Sequence, residues 1–554
     1  LPGIKLHMVD VVEEPLKSAG KRFSAYAQKA GDRGKITEEQ AKAVLENISY
    51  TTNYNEIKNC DLVIEAATEN ISLKQRIFET VEKIVREDAI ITSNTSSIPA
   101  DRIFSRMKKP DRTTITHFFT PAWRSLPVEV IVWEGGSQEV VDYLRWFFAD
   151  TGKTPIVTDN AICFIFNRIF CNWCNDAAYL LEHATASQID SVAEEFVSAG
   201  PFFVKNMTKG NRINIEANTL QMEEGAHYKP AIIFGSVDRW FTHRPGSRVD
   251  VPGDIKNIIR DRMLGILFSQ SFDVIDRGIG TKEDLNFGCQ IALGFRKGPF
   301  DVMRDLGEIE VDRIMKKFRK ERPGFPQPKV SFKEYQDFRR FVLVDEVEGV
   351  KIITIRRPQA MNALNDEITG EILAVLKEYH DDPSVKGFVI TGYGKSAFSA
   401  GAEIGKFTEM LGDSDACVRY ARDCAQVQLF MDRMEKPVIA AINGLVLGGG
   451  LEMAIRCHAM VADKNALFQF PEITLGILPG LGGCVVPYRK WPQAAALFHE
   501  MICLGRSIKA KDALEIGMVS KLVDNYPDLI REAVDEVNKI QGKIKRIPEG
   551  SVAI

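Results

Sequence analysis

Residues Cys60–Ser97 read "CDLVIEAATENISLKQRIFETVEKIVREDAIITSNTSS". Two short apolar runs, "CDLVIEAA" (Cys60–Ala67) and "DAIITSNTSS" (Asp88–Ser97), predict buried strands, and "ISLKQRIFETVEKIVRE" (Ile71–Glu87) between them has helical spacing. Strand, helix and strand in succession imply parallel pairing through a crossover, hence an α/β fold built on a doubly wound sheet. A capping box, Thr37–Gln40 in "TEEQ", starts an earlier helix. Earlier still, "LPGIKLHMVD" (Leu1–Asp10) is an apolar run closing on a carboxylate, the way a nucleotide-binding sheet presents the acid that holds a ribose hydroxyl.

Downstream the pattern changes twice. From about Asn160 to Arg322 helical periodicity dominates. "NRIFCNWCNDAAYLLEHATASQIDSVAEEFVSAGPFFV" is echoed by "DRMLGILFSQSFDVIDRGIGTKEDLNFGCQIALGFRKGPFDV", which predicts two related helical units, each ending in Gly-Pro-Phe. Residues Asn206–Gly253 between them show no clear pattern. "RPGFPQPK" (Arg322–Lys329) holds three prolines in eight residues and reads as a linker. A second α/β region then begins with a hairpin in "FVLVDEVEGVKIITIRRP" and strands in "VKGFVITG", "PVIAAING" and "HAMVADKNALFQFPE". The expected division is 1–159, 160–322, a connection over 323–339, and 340–554.

A chain of 554 residues is too long for one core. Its 71 Lys and Arg against 75 Asp and Glu give a net charge of −4, so no basic field exists to hold nucleic acid or an anionic membrane. The ten cysteines are scattered without zinc-type pairing, which predicts a reducing compartment, the cytoplasm, and no metal site. Cys171 and Cys174 in "CNWC" read as buried thiols of an apolar helix. The most apolar stretch, Pro437–Ala454, is interrupted by Asn443, Glu452 and its glycines, so no membrane span is expected.

Open α/β sheets place chemistry at strand ends. By that rule Ser96 after "SN", His117 in "THFFTP" and Glu129 in "LPVEVIV" can converge although distant in sequence. A lone histidine is more often a satisfied core residue than a base, so the pattern alone leaves His117 open.

"DLVIEAATENISLKQ", "SNTSS", "HFF.P....VEV" and "FIFNR", in that order and spacing, resemble the 3-hydroxyacyl-CoA dehydrogenases over roughly Leu1–Gly307. The resemblance implies a Rossmann-type NAD-binding domain followed by an all-α dehydrogenase C-terminal domain, here with two related helical units. It implies that His117 is the general base, Glu129 its hydrogen-bond partner, and Ser96 and Asn167 the groups that hold the substrate oxygen. For the NAD cofactor it implies Asp10 at the ribose, and Glu69, Lys74 and Asn94 near the nicotinamide. It also identifies Leu1–Asp10 as the second strand of the sheet. The expectation is then a first strand, a G-x-G-x-x-G turn and a first helix before Leu1, a gap in the sheet, and poor NAD binding without them. Three positions depart from the family: Thr120 where asparagine is usual, Ile162 and Cys163 where Pro-Gly is usual, and "FVSA" before Gly200 where a Gly-aromatic-Pro turn is usual.

In the last region "AFSAGAEI" (Ala397–Ile404), "NGLVLGGGLEMA" (Asn443–Ala454) and "FPEITLGILPGLGG" (Phe470–Gly483) stand out. Triple glycine without a following Lys-Ser/Thr, on a helix with a carboxylate in its first turns, disfavours a phosphate cradle. Backbone amides there suit a carbonyl that gains negative charge. These stretches resemble the enoyl-CoA hydratase, or crotonase, family over about Arg340–Ile540. The resemblance implies a spiral crotonase-type α/β domain, an oxyanion hole from the amides of Ala402 and Gly449, and catalytic Glu452 and Glu472. "RRPQAMNALN" (Arg356–Asn365) resembles the family's loop beside the CoA adenine, or reads as an ordinary strand-to-helix turn. After Ile554 the family continues with helices that complete the acyl pocket and the oligomer contact.

Together these imply a β-oxidation enzyme acting on acyl-CoA thioesters: hydration of 2-enoyl-CoA by the C-terminal part and NAD-dependent oxidation of the product by the N-terminal part, in a homo-oligomer. Two alternatives are a hydratase with a non-catalytic acyl-CoA-binding N-terminal module, and a crotonase-fold hydratase or hydrolase acting on cyclic acyl-CoA of aromatic degradation.

Overall fold

The computed structural model describes residues 4–403, 405 and 412–550; Leu1–Gly3 of the opening stretch and Ile404 of "AFSAGAEI" lie outside them. The chain forms two compact units, Leu1–Asp337 and Phe338–Ile554.

The first unit begins with β1 (Leu6–Val9) and β2 (Ile48–Thr51), a parallel pair joined through the helices Glu13–Asp32 and Glu38–Glu46. Thr37 caps the second of these, with Gln40 returning a bond to the Thr37 amide. A five-stranded sheet follows in the order β3 (Leu62–Glu65), β4 (Ile90–Ser93), β5 (Thr113–Phe118), β6 (Pro127–Val132), β7 (Thr154–Asp159). The β3–β4, β4–β5 and β6–β7 pairs are parallel, and β5–β6 is antiparallel. Among the described residues no strand joins β1 and β2 to this sheet. The helix Ile71–Ile84 covers one face through Phe78 and Val81, and the helix Gln138–Asp150 covers the other through Val141, Leu144 and Phe148.

The helical part follows β7, as the sequence predicts. Its long elements are the buried helices Phe166–Tyr179 and Gly253–Asp276, and Cys171 and Cys174 are buried thiols in the first. Each repeated unit continues with a helix capped by threonine, Thr185 before Ala186–Ala193 and Thr281 before Lys282–Leu293. Each ends on a helix opened by Gly-Pro, Pro201–Thr208 and Pro299–Leu306. A buried polar side chain five positions past each threonine holds that last helix's first amides. Asp190 receives Phe202 and Phe203 at 2.8 and 2.9 Å, and Asn286 receives Phe300 and Asp301 at 3.0 and 3.3 Å. The units meet at an antiparallel bridge between Val197 and Phe295, equivalent positions when the Gly-Pro-Phe triplets are aligned. Reciprocal bonds Ser198 N to Gly294 O (2.9 Å) and Arg296 N to Phe196 O (2.8 Å) flank it, so a local two-fold axis relates the repeats.

The proline-rich segment is packed rather than loose. Phe325 is buried against His227, Tyr228 and Phe318, Ser269 Oγ donates to Pro326 O at 2.7 Å, and the Tyr335 hydroxyl donates to Asp276 at 2.6 Å. Composition registers the prolines that break regular structure; the two aromatic anchors decide the packing.

The second unit stacks two sheets. The larger runs β17 (Lys521–Val523), β14 (Ala459–Asp463), β12 (Val438–Ile442), β10 (Gly387–Gly392), β9 (Val350–Ile355), β8 (Val342–Val347), parallel except for the β8–β9 hairpin. The smaller runs β11 (Ala397–Ser399), β13 (Leu445–Leu447), β15 (Leu467–Gln469), β16 (Ser507–Lys509). Strands β10 and β12 are buried on both faces, by the main core around Phe388 and Ile390 and by the helix Tyr526–Ile540. Among the described residues no helix is long and apolar enough to cross a membrane, and no group of His, Cys, Asp and Glu is placed to hold a metal ion.

Candidate active sites

The first site forms where the C-terminal ends of β4 and β5 meet the start of the helix Phe166–Tyr179. Antiparallel pairing sets His117 directly opposite Glu129, and His117 Nδ1 lies 2.6 Å from Glu129 Oε2. The other oxygen of Glu129, which is fully buried, accepts the amides of Ile165 and Phe166 at 3.0 and 3.2 Å. These amides open the helix that carries Asn167, so one carboxylate fixes both ring and helix. Asn167 is buried, its Oδ1 takes the Cys171 thiol, and its Nδ2 has no partner among the described residues.

Ser96 is held by Glu69, which accepts its amide at 2.8 Å and its hydroxyl at 3.2 Å, and accepts the Thr95 hydroxyl at 2.8 Å. Ser97 O receives the Cys163 amide, which ties the "SNTSS" turn to the loop before Asn167. Asn94 Oδ1 accepts the Phe118 amide at 2.8 Å and so clamps the end of β5. Lys74, 1% exposed, points its ammonium at Glu65 (2.9 and 3.0 Å) and the Ala67 carbonyl, with Glu69 at 3.6 Å. Glu65 also accepts the Ser93 hydroxyl at 2.6 Å. The sequence reading missed Glu65; its signal was a carboxylate closing a buried strand, as at Asp10. Asp10 lies at the end of β1 and accepts the Val12 amide.

One departure, Cys163, acquires a structural meaning. Cys163 and Phe164 both adopt positive φ, 65° and 48°; glycine takes this conformation at no steric cost, and here it is taken with side chains present. Cys163 is buried, and that burial pushes its thiol well up, away from reactivity.

In the second unit the triple glycine opens the helix Gly448–Arg456. Gly449 lies in its first turn, where amides have no intrahelical acceptor. A Cβ on Gly401 would lie 3.5 Å from the Gly449 amide, and one on Gly449 would lie 3.6 Å from the Ala402 amide, so the two N–H groups sit together. The approach needs glycine: a Cβ on Gly450 would stand 2.6 Å from the Ser399 side chain, and Gly448 has φ +46°.

Glu452 and Glu472 line one cavity of about 260 Å³ with Ala402 and Gly449. Their environments differ. Glu452 Oε1 accepts the amides of Leu481 and Gly483 at 2.7 and 2.8 Å; burial raises its carboxyl above the ordinary range while these amides and Arg456 oppose the rise. Glu472 Oε2 is buried without a partner among the described residues. Burial, with the Glu452 charge adding to it, pushes Glu472 up to about 7. In "RRPQAMNALN", Arg357 makes a two-pronged pair with Glu403 (3.0 and 2.9 Å), and Asn362 donates to Tyr393 O and Ala397 O. The loop is thus fastened beside the Ala402 amide.

The enoyl-CoA hydratase/isomerase family model matches residues 345–549. The short-chain-enoyl-CoA hydratase of Clostridium acetobutylicum is 37% identical over 199 residues, 36% of this chain and 74% of that protein. The chain belongs to the enoyl-CoA hydratase/isomerase family. The crotonyl-CoA hydratase of Syntrophomonas wolfei matches the same hydratase/isomerase unit, 37% identical over 214 residues, 38% of this chain and 78% of that protein. Ahead of this unit, residues 1–161 match the model of the 3-hydroxyacyl-CoA dehydrogenase NAD binding domain. The 3-hydroxybutyryl-CoA dehydrogenase of Escherichia coli K12 shares the fold over 60% of this chain and 92% of its own, with a TM-score of 0.53 at 17% identity. The chain is a dehydrogenase/hydratase fusion, a two-part enzyme of the β-oxidation type, and its first part carries a nucleotide-binding domain.

Proposed function

We propose that the second unit hydrates 2-enoyl-CoA to 3-hydroxyacyl-CoA and that the first oxidises this product to 3-oxoacyl-CoA with NAD. The observation that carries the hydration is an unequal pair of carboxyls lining one cavity with the neighbouring amides of Ala402 and Gly449. The thioester oxygen is held by the N–H groups of Ala402 and Gly449, which stabilise the enolate-like charge. Glu452, whose Oε1 accepts two backbone amides, takes a proton as water oxygen bonds to the β-carbon. Glu472, which keeps its proton to about pH 7, delivers it to the α-carbon.

In the first unit His117 takes the hydroxyl proton, and Glu129 fixes the ring tautomer and supports the imidazolium. Ser96 and Asn167 Nδ2, which has no partner among the described residues, hold the substrate oxygen. The residues fit NAD: Asp10 ends its strand with its carboxylate engaged only by a local amide among the described residues, and Glu69 stands beside Ser96. NAD, when bound, supplies the acceptor for the hydride from C3. Lys74 and Asn94 act here through Glu69, Glu65 and β5 rather than by reaching out themselves.

In this reading residues 1–159 bind the nucleotide, 160–322 complete the dehydrogenase, 323–339 connect, and 340–554 carry the hydratase. Ten free cysteines support a cytoplasmic setting, and exposed Leu475 and Leu478 support a homo-oligomer. The positive φ of Cys163, at a position where the resembled family usually has glycine, supports a working dehydrogenase over a purely acyl-CoA-binding module. The test is a coupled assay on the full chain: crotonyl-CoA consumption without NAD, then NADH formation with it. Glu452→Gln should stop both from crotonyl-CoA, and His117→Ala should stop only the second. A chain that turns over a cyclic dienoyl-CoA and leaves crotonyl-CoA untouched would replace this reading by the aromatic-degradation alternative.

A further inference from the structure

The cavity beside Glu452 and Glu472 contains a polar side chain that the hydration does not use. Gln428, on the helix Ser414–Met431, lines this cavity and is 1% exposed. Neither its Nε2 nor its Oε1 has a partner among the described residues. Tyr420, Ala421 and Cys424 line the cavity with it, at the spacing that puts them on one face of the helix. One helix face thus forms part of the cavity wall, and Gln428 is the amide on it. A buried amide left unpaired weakens a state by roughly ten- to a hundredfold. The cavity that Gln428 lines is where a ligand group can reach this amide.

The chemistry of the lining narrows that group. A glutamine amide offers two N–H donors and a carbonyl acceptor. Two glutamates share the cavity, and none of its described lining residues is Lys, Arg or His. A carboxylate on the acyl chain would meet like charge with no cation to offset it. A hydroxyl carries no charge and both donates and accepts.

We propose that Gln428 recognises a hydroxyl group on the acyl chain, so that the second unit prefers hydroxylated 2-enoyl-CoA to the plain 2-enoyl-CoA of the same length. The inference rests on the hydratase reading of this cavity and names its substrate class. Gln428 is a specificity residue and takes no part in proton transfer.

The test compares medium-chain 2-enoyl-CoAs matched in length, with and without a terminal hydroxyl, by hydration rate and by calorimetric affinity for the corresponding saturated thioesters. The full chain is used, with Gln428→Leu and the more adaptable Gln428→Met. The native protein should favour the hydroxylated member about tenfold or more in kcat/KM and in affinity. Both variants should lose that preference while keeping turnover of the plain compound. Turnover without any preference, or a preference that survives both variants, overturns the role of Gln428 and leaves the hydratase reading standing. A binding preference that depends on Gln428 without turnover supports the recognition and overturns the hydratase reading. Absence of both binding and turnover overturns both.

Discussion

His117 and Glu129 face each other across an antiparallel strand pair, the ring nitrogen 2.6 Å from a carboxylate whose second oxygen holds the start of the helix Phe166–Tyr179. The base and its support are thereby fixed by sheet register rather than by a flexible loop. His117→Ala should lower 3-hydroxyacyl-CoA oxidation by about 10²–10⁴-fold. Glu129→Gln should lower it by a similar order, because the ring loses its carboxylate and the wrong tautomer is permitted. NADH formation at saturating substrate measures both, and an unchanged rate in Glu129→Gln would refute the pairing as a catalytic device.

Glu472 keeps its proton up to about pH 7. Hydration of crotonyl-CoA should therefore fall as pH rises through about 7, the limb on which the acid is lost. Glu472→Gln should reduce the rate by about 10²–10⁴-fold and flatten that limb. A pH profile of kcat for the two proteins decides it.

Gly450 has no room for a side chain: an added Cβ would meet Ser399 Cβ at 2.6 Å and the Ser399 carbonyl at 2.9 Å. Gly450→Ala should force the helix start away from β11 and separate the Ala402 and Gly449 amides. The expected loss in kcat is about 10²–10³-fold, the scale of one oxyanion donor, with the fold intact by circular dichroism.

Lys74 and Glu65 form a buried ion pair whose side chains are 1% and 4% exposed. Lys74→Met strands the carboxylate and should cost about 3–5 kcal/mol in the unfolding of the first unit. Lys74→Met combined with Glu65→Gln should recover part of that loss. Urea denaturation of the three proteins measures the difference, and a single variant as stable as the native chain would show that the pair is not needed.

Asp190 is raised from 3.8 to about 7, mainly by burial, against the two amides that hold its charge. A carboxyl whose folded value lies above its unfolded value contributes most stability below about pH 4 and loses that contribution as pH rises through about 7. The melting temperature of the native chain minus that of Asp190→Asn should therefore fall across this window and level off above it. A difference that is flat with pH would contradict the shift.

Much of this arrangement is legible in the sequence because it rests on local signals. The strand–helix–strand rhythm of Cys60–Ser97 gives β3, β4 and the helix between them, and the Gly-Pro-Phe echoes give the repeated units. The glutamates and glycines of the second site sit in short motifs, so their convergence follows once the strands stack. What stayed hidden depends on distant packing. Glu65 and Gln428 look like ordinary polar residues until burial shows one paired with Lys74 and the other without a partner among the described residues. Asn206–Gly253 shows no period because the helix within it, Asn211–Gln221, buries Asn214, Asn218 and Gln221 rather than an apolar stripe, and irregular chain such as that at Trp240 is held by Asn206 bonding its amide and carbonyl. The prolines of Arg322–Lys329 concealed the anchoring by Phe325 and Tyr335 in the same way.

The two-fold bridge at Val197 and Phe295 joins segments of one polypeptide. Repeats joined in this way meet without the translational entropy that separate copies lose on association, and dilution cannot part them. Covalent pairing also releases each repeat from having to match its twin. A substitution in a true homodimer enters both sides at once, whereas here Asp190 and Asn286 perform the same capping with different chemistry. One repeat can carry the titrating group and the other its neutral counterpart, so the pair can drift apart in function while remaining alike in shape.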